Sequence, residues 1–460
     1  MTALPQATGE NHRRPNVVLL ICDQMQQQRL GGGWALNGTP GSLTPNLDLL
    51  AAEGTSFNRA YCSNAQCTPS RASLQTGQYP HESGVMVIYG FGGHTGHLGP
   101  RHTTLAHAFK AAGYATAIFG KTHFGYPIEE LGFDSGIERG GGESLAAVDR
   151  QITDDAIGFL AGHPADQPLF LVVSWHQPHP PFEEAEPFFA GISPQQLDLP
   201  HSFWGDDLSG KPRFQRDRRR QQGGGYDEEQ LRSEMAKYCS MISAVDHEVG
   251  RVIAGVKSSD SWDHTIAAFT SDHGDMMGAH GLRLKGPLPY EELFRVPLII
   301  RAPHLPGNRV VDELNVNVQL PGTLMDLAGV PRPDSWPDRE ALAGLEGDDE
   351  GPDQVFMEHY GAYWGWHPFR MVVTKTHKYV RYYGPDDGEE ELYHLAVDPD
   401  ECVNLAQNPD HSAIRARLRN AVDDWWRETG GRDWAYYESD DFKLADEATL
   451  VRDNHLWADT

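Results

Sequence analysis

Val17-Val18-Leu19-Leu20-Ile21-Cys22, followed at once by Asp23, is the stretch on which the reading of this chain turns. Six apolar residues, half of them β-branched, read as a short strand buried on both faces. Arg13-Arg14 precede the run, but it ends on an acid and falls short of the roughly 7–15 apolar residues of an export signal. Residues 1–14 are therefore expected to be a disordered tail, and the protein to remain cytoplasmic. Runs of the same kind recur at Ala115–Phe119, Leu169–Ser174, Thr265–Thr270 and Pro297–Ile300. Between them Thr44–Glu53 and Leu105–Ala112 read as helices stopped by Gly54 and Gly113. Asp227 with Gln230 reads as the capped start of a longer helix, with Leu231, Met235, Ile242, Val245, Val249 and Val252 along one face.

This alternation predicts an α/β fold: a large mixed, mainly parallel sheet sandwiched by helices. An acidic, Pro-rich connector over Pro331–Gln354 predicts a boundary, giving an α/β domain over 15–350 and a smaller C-terminal α+β subdomain over 351–460. There, Arg370–Tyr383 and Glu391–Leu395 read as an antiparallel sheet and Ser412–Thr429 as a helix. Phe182–Gly225, with the basic run Arg216–Arg220, reads as a long solvated loop of the kind that forms lids.

Composition narrows the partners. The 460 residues carry 38 basic and 65 acidic side chains, a net charge of −27, which excludes nucleic acid and anionic membrane surfaces. No stretch approaches the ~18 apolar residues of a membrane span. The five cysteines are odd in number and scattered, fitting neither a disulfide framework nor a zinc pattern and pointing to a reducing compartment. Only nine residues are Lys, so a Lys inside a motif carries information.

Five strand-end loops carry reactive groups. Asp23 follows the first strand, and Ser271-Asp272-His273-Gly274-Asp275 follows Thr265–Thr270, so two strand ends bring carboxylates to one rim, as a divalent cation requires. Cys67-Thr68-Pro69-Ser70-Arg71 opens a helix, where free N–H groups favour negative charge, and Arg71 lies one turn on. Gly120-Lys121-Thr122-His123 and His176-Gln177-Pro178-His179 end two further strands, and Lys285 lies shortly after Asp272. Gathered together, Arg71, Lys121, His123, His179 and Lys285 describe a cationic pocket for a small oxygenated anion. His94, His97, His102 and His107 form a further His-rich stretch, read as solvated surface.

Together these motifs resemble the type I sulfatases of the alkaline phosphatase superfamily. Cys67–Arg71 matches the C-x-P-S-R signature, continued by Thr76-Gly77-Gln78-Tyr79-Pro80 and preceded by Thr44-Pro45-Asn46-Leu47-Asp48. The Gly120, Pro178-His179 and Ser271-Asp272-His273-Gly274 motifs follow in order, and the resemblance spans about 15–406. It implies a sulfuric ester hydrolase acting on a small anionic sulfate ester, with Cys67 oxidised to Cα-formylglycine by a formylglycine-generating enzyme. It further implies a divalent metal, usually Ca2+ with Mn2+ or Mg2+ as alternatives, held by Asp23, Asp272, His273 and the modified Cys67. Arg71 and Lys121 would stabilise the hydrated aldehyde, His123 would take its proton, and His179 and Lys285 would hold sulfate oxygens and the leaving oxygen. Two positions depart from the common pattern: Gln24 stands where many members have a second Asp and is a further candidate ligand, and His273 stands where Asn is frequent. The same pair occurs in choline sulfatases and phosphonate monoester hydrolases, so phosphonate monoester or phosphodiester hydrolysis is the alternative activity. A third reading is a metal-stabilised binding protein in which Cys67 remains a thiol.

Overall fold

The computed structural model describes residues 14–29, 42–90, 97–140, 144–222, 227–347, 350–361 and 365–439. The tail expected over 1–14 and His94 fall outside them, except for Arg14. Strands β1 (Asn16–Cys22), β2 (Thr55–Phe57), β3 (Ala115–Gly120), β4 (Ser135–Ile137), β5 (Leu169–Ser174), β6 (Thr265–Ser271), β7 (Leu298–Arg301) and β8 (Arg309–Val311) form one sheet. Their order is β4-β3-β5-β1-β6-β7-β2-β8, with only β7 antiparallel to its neighbours. The helices that bear on the site are α1 (Pro45–Glu53), α2 (Cys67–Thr76), α3 (Leu105–Ala111), α4 (Leu145–Gly162), α5 (Arg213–Gln221), α6 (Glu228–Ser258) and α7 (Leu320–Ala328).

β1 shows why a continuous apolar run was needed. Val18, Leu20 and Cys22 point into a core shared with Leu47 of α1, Ile152 of α4 and Val245 and Val249 of α6. Val17, Leu19 and Ile21 point into the opposite core, with Leu74 of α2, Phe109 of α3 and Leu324 of α7. The two-residue period of the strand thus feeds both helical layers, and the mixed, mainly parallel sheet sandwiched by helices is observed. α6 begins at Asp227, whose carboxylate accepts from Gln230 N at 2.8 Å, the cap read from the sequence.

The parallel strands end level with one another. Cys22 pairs with Ser271, and both Ile21 and Gly120 pair with Ser174, so Asp23, Lys121 and Asp272 leave the sheet at one height. Gly120 has φ +104°, and a Cβ there would lie 1.9 Å from the Ser174 carbonyl oxygen. Only glycine lets β3 end this close to β5 and turn into Lys121.

A second sheet, β9 (Gln354–His359), β10 (Phe369–Thr374), β11 (His377–Tyr382) and β12 (Glu390–His394), is antiparallel and in sequence order. Its first strand, not read from the sequence, starts at Gln354, the last residue of the expected connector. Helix α8 (Ser412–Glu428) covers one face through Leu418 and Val422 against Val372, Tyr379 and Leu392. The other face, with Met371, Val373 and Val380, shares a core with Tyr61, Leu293 and Phe294 of the larger domain.

Two sequence expectations are corrected. The segment expected as a solvated loop over 182–225 contains α5 within its described part, and the basic run is one-sided. Phe214, Gln215 and Arg218 are buried, Arg218 Nη2 donating to Lys285 O at 2.5 Å and Arg219 Nη1 to Asp206 O at 2.9 Å. Long arginine stems can lie in apolar surroundings when carbonyls meet their heads. The described histidines of the His-rich stretch are also not solvated: His97 and His102 are buried, His102 between the carbonyls of Gly99 and Ser83 at 3.2 and 3.0 Å. His107 meets Thr104 at the start of α3. Among the described residues no helix is long and apolar enough to cross a membrane.

Candidate active site

α2 carries Cys67 at its first position, after an extended Gln66, and all ten of its residues are buried. Each polar residue of the opening turn has a fixed partner. Gln66 Nε2 donates to Gly361 O at 3.1 Å and contacts the His359 ring at 3.0 Å, tying the helix start to β9. Thr68 Oγ1 donates to His123 O at 3.0 Å and accepts from Tyr89 N at 3.1 Å. Ser70 Oγ donates to the Asp272 carbonyl and accepts from Asn317 Nδ2 at 3.0 Å. The helix closes on Gly77 at φ +65°.

Arg71 reaches from this helix to four strand ends at once. Its Nε donates to Asp272 Oδ2 at 2.8 Å and its Nη2 to Asp23 Oδ2 at 3.3 Å. Its Nη1 donates to Ser174 Oγ at 2.7 Å and to Lys121 O at 3.1 Å. The guanidinium is thus engaged with the carboxylates and the sheet, beside the Cys67 position whose hydrated aldehyde the resemblance has it stabilise.

Of the oxygens that Arg71 leaves, Asp272 Oδ1 accepts from Gln24 N at 3.0 Å and from His273 N at 2.9 Å, while Asp23 Oδ1 faces Cys67 and His273. Asp23, Cys67, Asp272 and His273 are all buried and offer four ligand atoms within 4.8 Å of one another. Asp23 Oδ1 and Asp272 Oδ1 each lie 3.8 Å from His273 Nε2, while Cys67 Sγ is 3.3 Å from it. His273 Nδ1 meets the Gly274 carbonyl at 2.8 Å, which places a proton on Nδ1 and turns Nε2 inward. Burial disfavours a charged His273 ring, yet Asp272 and Cys67 raise its affinity for a proton, so Nε2 is placed to meet a cation. Two carboxylate oxygens, an imidazole nitrogen and the Cys67 position fit a divalent ion. Gln24 Oε1 accepts at 2.6 Å from Lys285 Nζ, the amine that also meets Cys67, and its Nε2 donates to Asp275 Oδ2 at 2.5 Å.

The cations surround Cys67. Lys285 Nζ lies 3.0 Å and Lys121 Nζ 4.0 Å from Sγ, and Lys121 also pairs with Asp23. Burial alone would push the Cys67 thiol up; Lys121, Lys285 and His273 hold it well below its usual range. Burial would likewise raise the Asp23 carboxyl, but Lys121, His179 and Arg71 hold it down, against the opposing charge of Cys67. His123 and His179 both stand beside Cys67, and burial, with Lys121 beside the first and Lys285 beside the second, keeps both rings neutral-leaning. The structure therefore brings Asp23, Cys67, Arg71, Lys121, His123, His179, Asp272, His273 and Lys285 to one place.

Sequence reasoning missed the residues that hold these groups still. Ser174 was legible as a polar end to an apolar run; Asn317 and Glu138 carried no signal. Glu138 Oε1 accepts from Thr122 Oγ1 at 2.5 Å, Thr122 N at 3.3 Å and His123 N at 3.2 Å. It thereby holds His123 at φ +64°, a left-handed conformation that costs a non-glycine residue about 1–3 kcal/mol. Glu138→Ala is expected to lower kcat by roughly 10²-fold with an unchanged melting temperature, since small displacements of a side chain at a reacting centre cost about that much. Glu138→Gln, which keeps the accepting oxygen, should restore most of the rate; equal rates for all three proteins would remove the assignment.

Comparison with known proteins agrees with this geometry. The sulfatase family model matches residues 15–330, and that of the N-sulphoglucosamine sulphohydrolase C-terminal region matches 278–428. The chain is 30% identical to the uncharacterized sulfatase YidJ of Escherichia coli K12, covering 90% of this chain and 87% of that protein. It is 28% identical to an arylsulfatase of Clostridium perfringens, covering 92% and 96%. The solved structure of a 2-O GAG sulfatase superposes with a TM-score of 0.76 at 27% identity, covering 90% of this chain and 92% of that one. A family match over more than two thirds of the sequence, joined to relatives that align along nearly their whole length, means that the chain belongs to the sulfatase family of the alkaline phosphatase superfamily and is a sulfuric ester hydrolase.

Proposed function

We propose that the chain hydrolyses an aryl, alkyl or sugar sulfate at a Cys67-derived Cα-formylglycine, releasing inorganic sulfate. The observation that carries this is the clustering of Cys67 Sγ with Asp23, Asp272 and His273 within 4.8 Å, with Lys285 Nζ 3.0 Å away. Asp23, Asp272, His273 and the modified Cys67 are the residues that would hold a divalent ion, calcium on the family's usual chemistry. Bound there, such an ion supplies Lewis-acid polarisation of the sulfate and favours the ionised nucleophile.

The remaining steps belong to the chain's own side chains. Lys121 and Lys285 bring positive charge to the position where the anion and the nucleophile meet. His123, kept neutral by burial, takes a proton from the hydroxyl carried at position 67. His179 and Lys285 hold sulfate oxygens and neutralise the leaving oxygen. Arg71 and Glu138 act by position, the first on the carboxylates and the second on the His123 backbone. Cys67 is 1% exposed, so a formylglycine-generating enzyme would have to act before α2 packs. None of the five cysteines forms a disulfide, which suits a reducing compartment, and the cytoplasm is the proposed place of action.

Three measurements test this. Mass spectrometry of the Cys67 peptide is expected to show the aldehyde. Turnover of 4-nitrophenyl sulfate should exceed that of a phenyl phosphonate monoester in kcat/KM, should vanish on dialysis against EDTA and should return with calcium. Faster phosphonate turnover would make the alternative activity the principal one.

A further inference from the structure

Lys285 reaches Cys67 from a loop whose backbone is satisfied from two directions. In one, the chain doubles back on itself: Met276 N donates to Leu284 O and Gly278 N to Leu282 O, both at 2.9 Å. The residues on either side of Leu284 face the other way, onto α5. Gln222, at the C-terminal end of that helix, donates from Nε2 to Arg283 O at 3.2 Å. Its Oε1 accepts from Arg283 N at 3.1 Å. Arg218, one turn earlier on the same face, donates from Nη2 to Lys285 O at 2.5 Å. An amide and a guanidinium thus meet backbone groups that a neighbouring strand would meet in a sheet. Gly286 permits the approach, since a Cβ there would lie 3.0 Å from the Arg218 guanidinium carbon.

α5 is itself anchored to the C-terminal subdomain. Gln215 Nε2 donates to Glu391 Oε1 of β12 at 2.7 Å, and its Oε1 accepts from Tyr290 OH. Phe214 stacks on His367 with ring centres 4.0 Å apart and meets Tyr382 of β11 edge-on at 5.6 Å. The subdomain therefore supports the helix that supports the Lys285 backbone. Placement matters here because the amine has a narrow target. Its Nζ stands 2.6 Å from Gln24 Oε1 and 3.0 Å from Cys67 Sγ, and the residue is only 4% exposed. Gln24 holds the tip of this side chain, and α5 holds its root. A root displaced by about 1 Å would carry the charge off the reacting atoms, an error that costs up to roughly 10²-fold.

We propose that Arg218 and Gln222 are positioning residues for Lys285, acting through the backbone of 283–285. This rests on the role in ester hydrolysis proposed for Lys285. Double-mutant cycles on kcat/KM test it, read on 4-nitrophenyl sulfate, or on a phenyl phosphonate monoester if that is turned over faster. Lys285→Ala is expected to cost about 10²-fold or more. Gln222→Ala, at a half-buried helix end, should cost about tenfold in the wild-type background. With Lys285→Ala already present it should cost less than about twofold, because the group it places is gone. Arg218→Met, which keeps most of the buried stem, should behave in the same way. A residue that only stabilised the fold would lose the same factor in both backgrounds. That result, or no loss in the wild-type background, would overturn the positioning while leaving the role of Lys285 intact. A wild-type rate in Lys285→Ala would overturn both.

Discussion

Cys67→Ala is expected to lower kcat on 4-nitrophenyl sulfate by about ten-thousandfold or more, with folding intact. The size follows from removing the nucleophile, whose loss leaves only binding and electrostatic assistance. Folding should survive because α2 keeps its anchors through Gln66, Thr68, Ser70 and Arg71 when the Sγ contacts with His273 and Lys285 are lost. The two cations nearest the thiol remain satisfied, Lys121 by Asp23 and Lys285 by Gln24 Oε1 at 2.6 Å. Stopped-flow or fixed-time assays on matched, folded preparations check the rate, and thermal unfolding checks the fold. Retained turnover in Cys67→Ala would sink the assignment of position 67.

The second large effect is expected at Arg71 and is one of stability as well as rate. Arg71→Met leaves Asp23 and Asp272, both 0% exposed, without the group that bridges them. Breaking a buried pair in this way costs about 3–5 kcal/mol, because the charge left behind stays buried. Four strand ends also lose their common anchor, so kcat should fall by at least about 10²-fold. The pH dependence has a defined sign. The Asp23 carboxyl sits below its unfolded value, so its contribution is present above about pH 4 and is lost as the solution is acidified. The stability gap between wild type and Arg71→Met should therefore be widest near neutrality and narrow on acidification below about pH 4. Urea unfolding of the metal-free proteins across that range measures it. A gap independent of pH would show that Arg71 acts through packing rather than charge.

These two residues also mark how far the sequence could be read. Cys67 was legible because its signature is local: five consecutive residues open one helix, and their order alone suggests the chemistry. The strands were legible for a related reason. A strand buried on both faces must be apolar throughout, as Val17–Cys22 is, and its end is marked by the first polar residue, Asp23. The short strands escaped notice, β2, β4 and β8 having three residues each, as did β9, which starts at the last residue of the expected connector. So did the packing of α5, since a run rich in arginine has no apolar face to announce which side is covered.

By itself, the sequence determined the α/β architecture, the strand ends that carry Asp23, Lys121, His179 and Asp272, and the helix that starts at Cys67. The tertiary structure alone decided what those groups touch. Arg71 meets Ser174 across a separation of 103 residues, and Gln24 meets Asp275 across 251. Local pattern cannot specify such partners, because apolar periodicity reports which face a side chain covers and not which polar atom lies opposite it. That choice is made when strands fall into register and every buried donor and acceptor must find a partner. It left Arg71 on the carboxylates and Gln24 on Lys285.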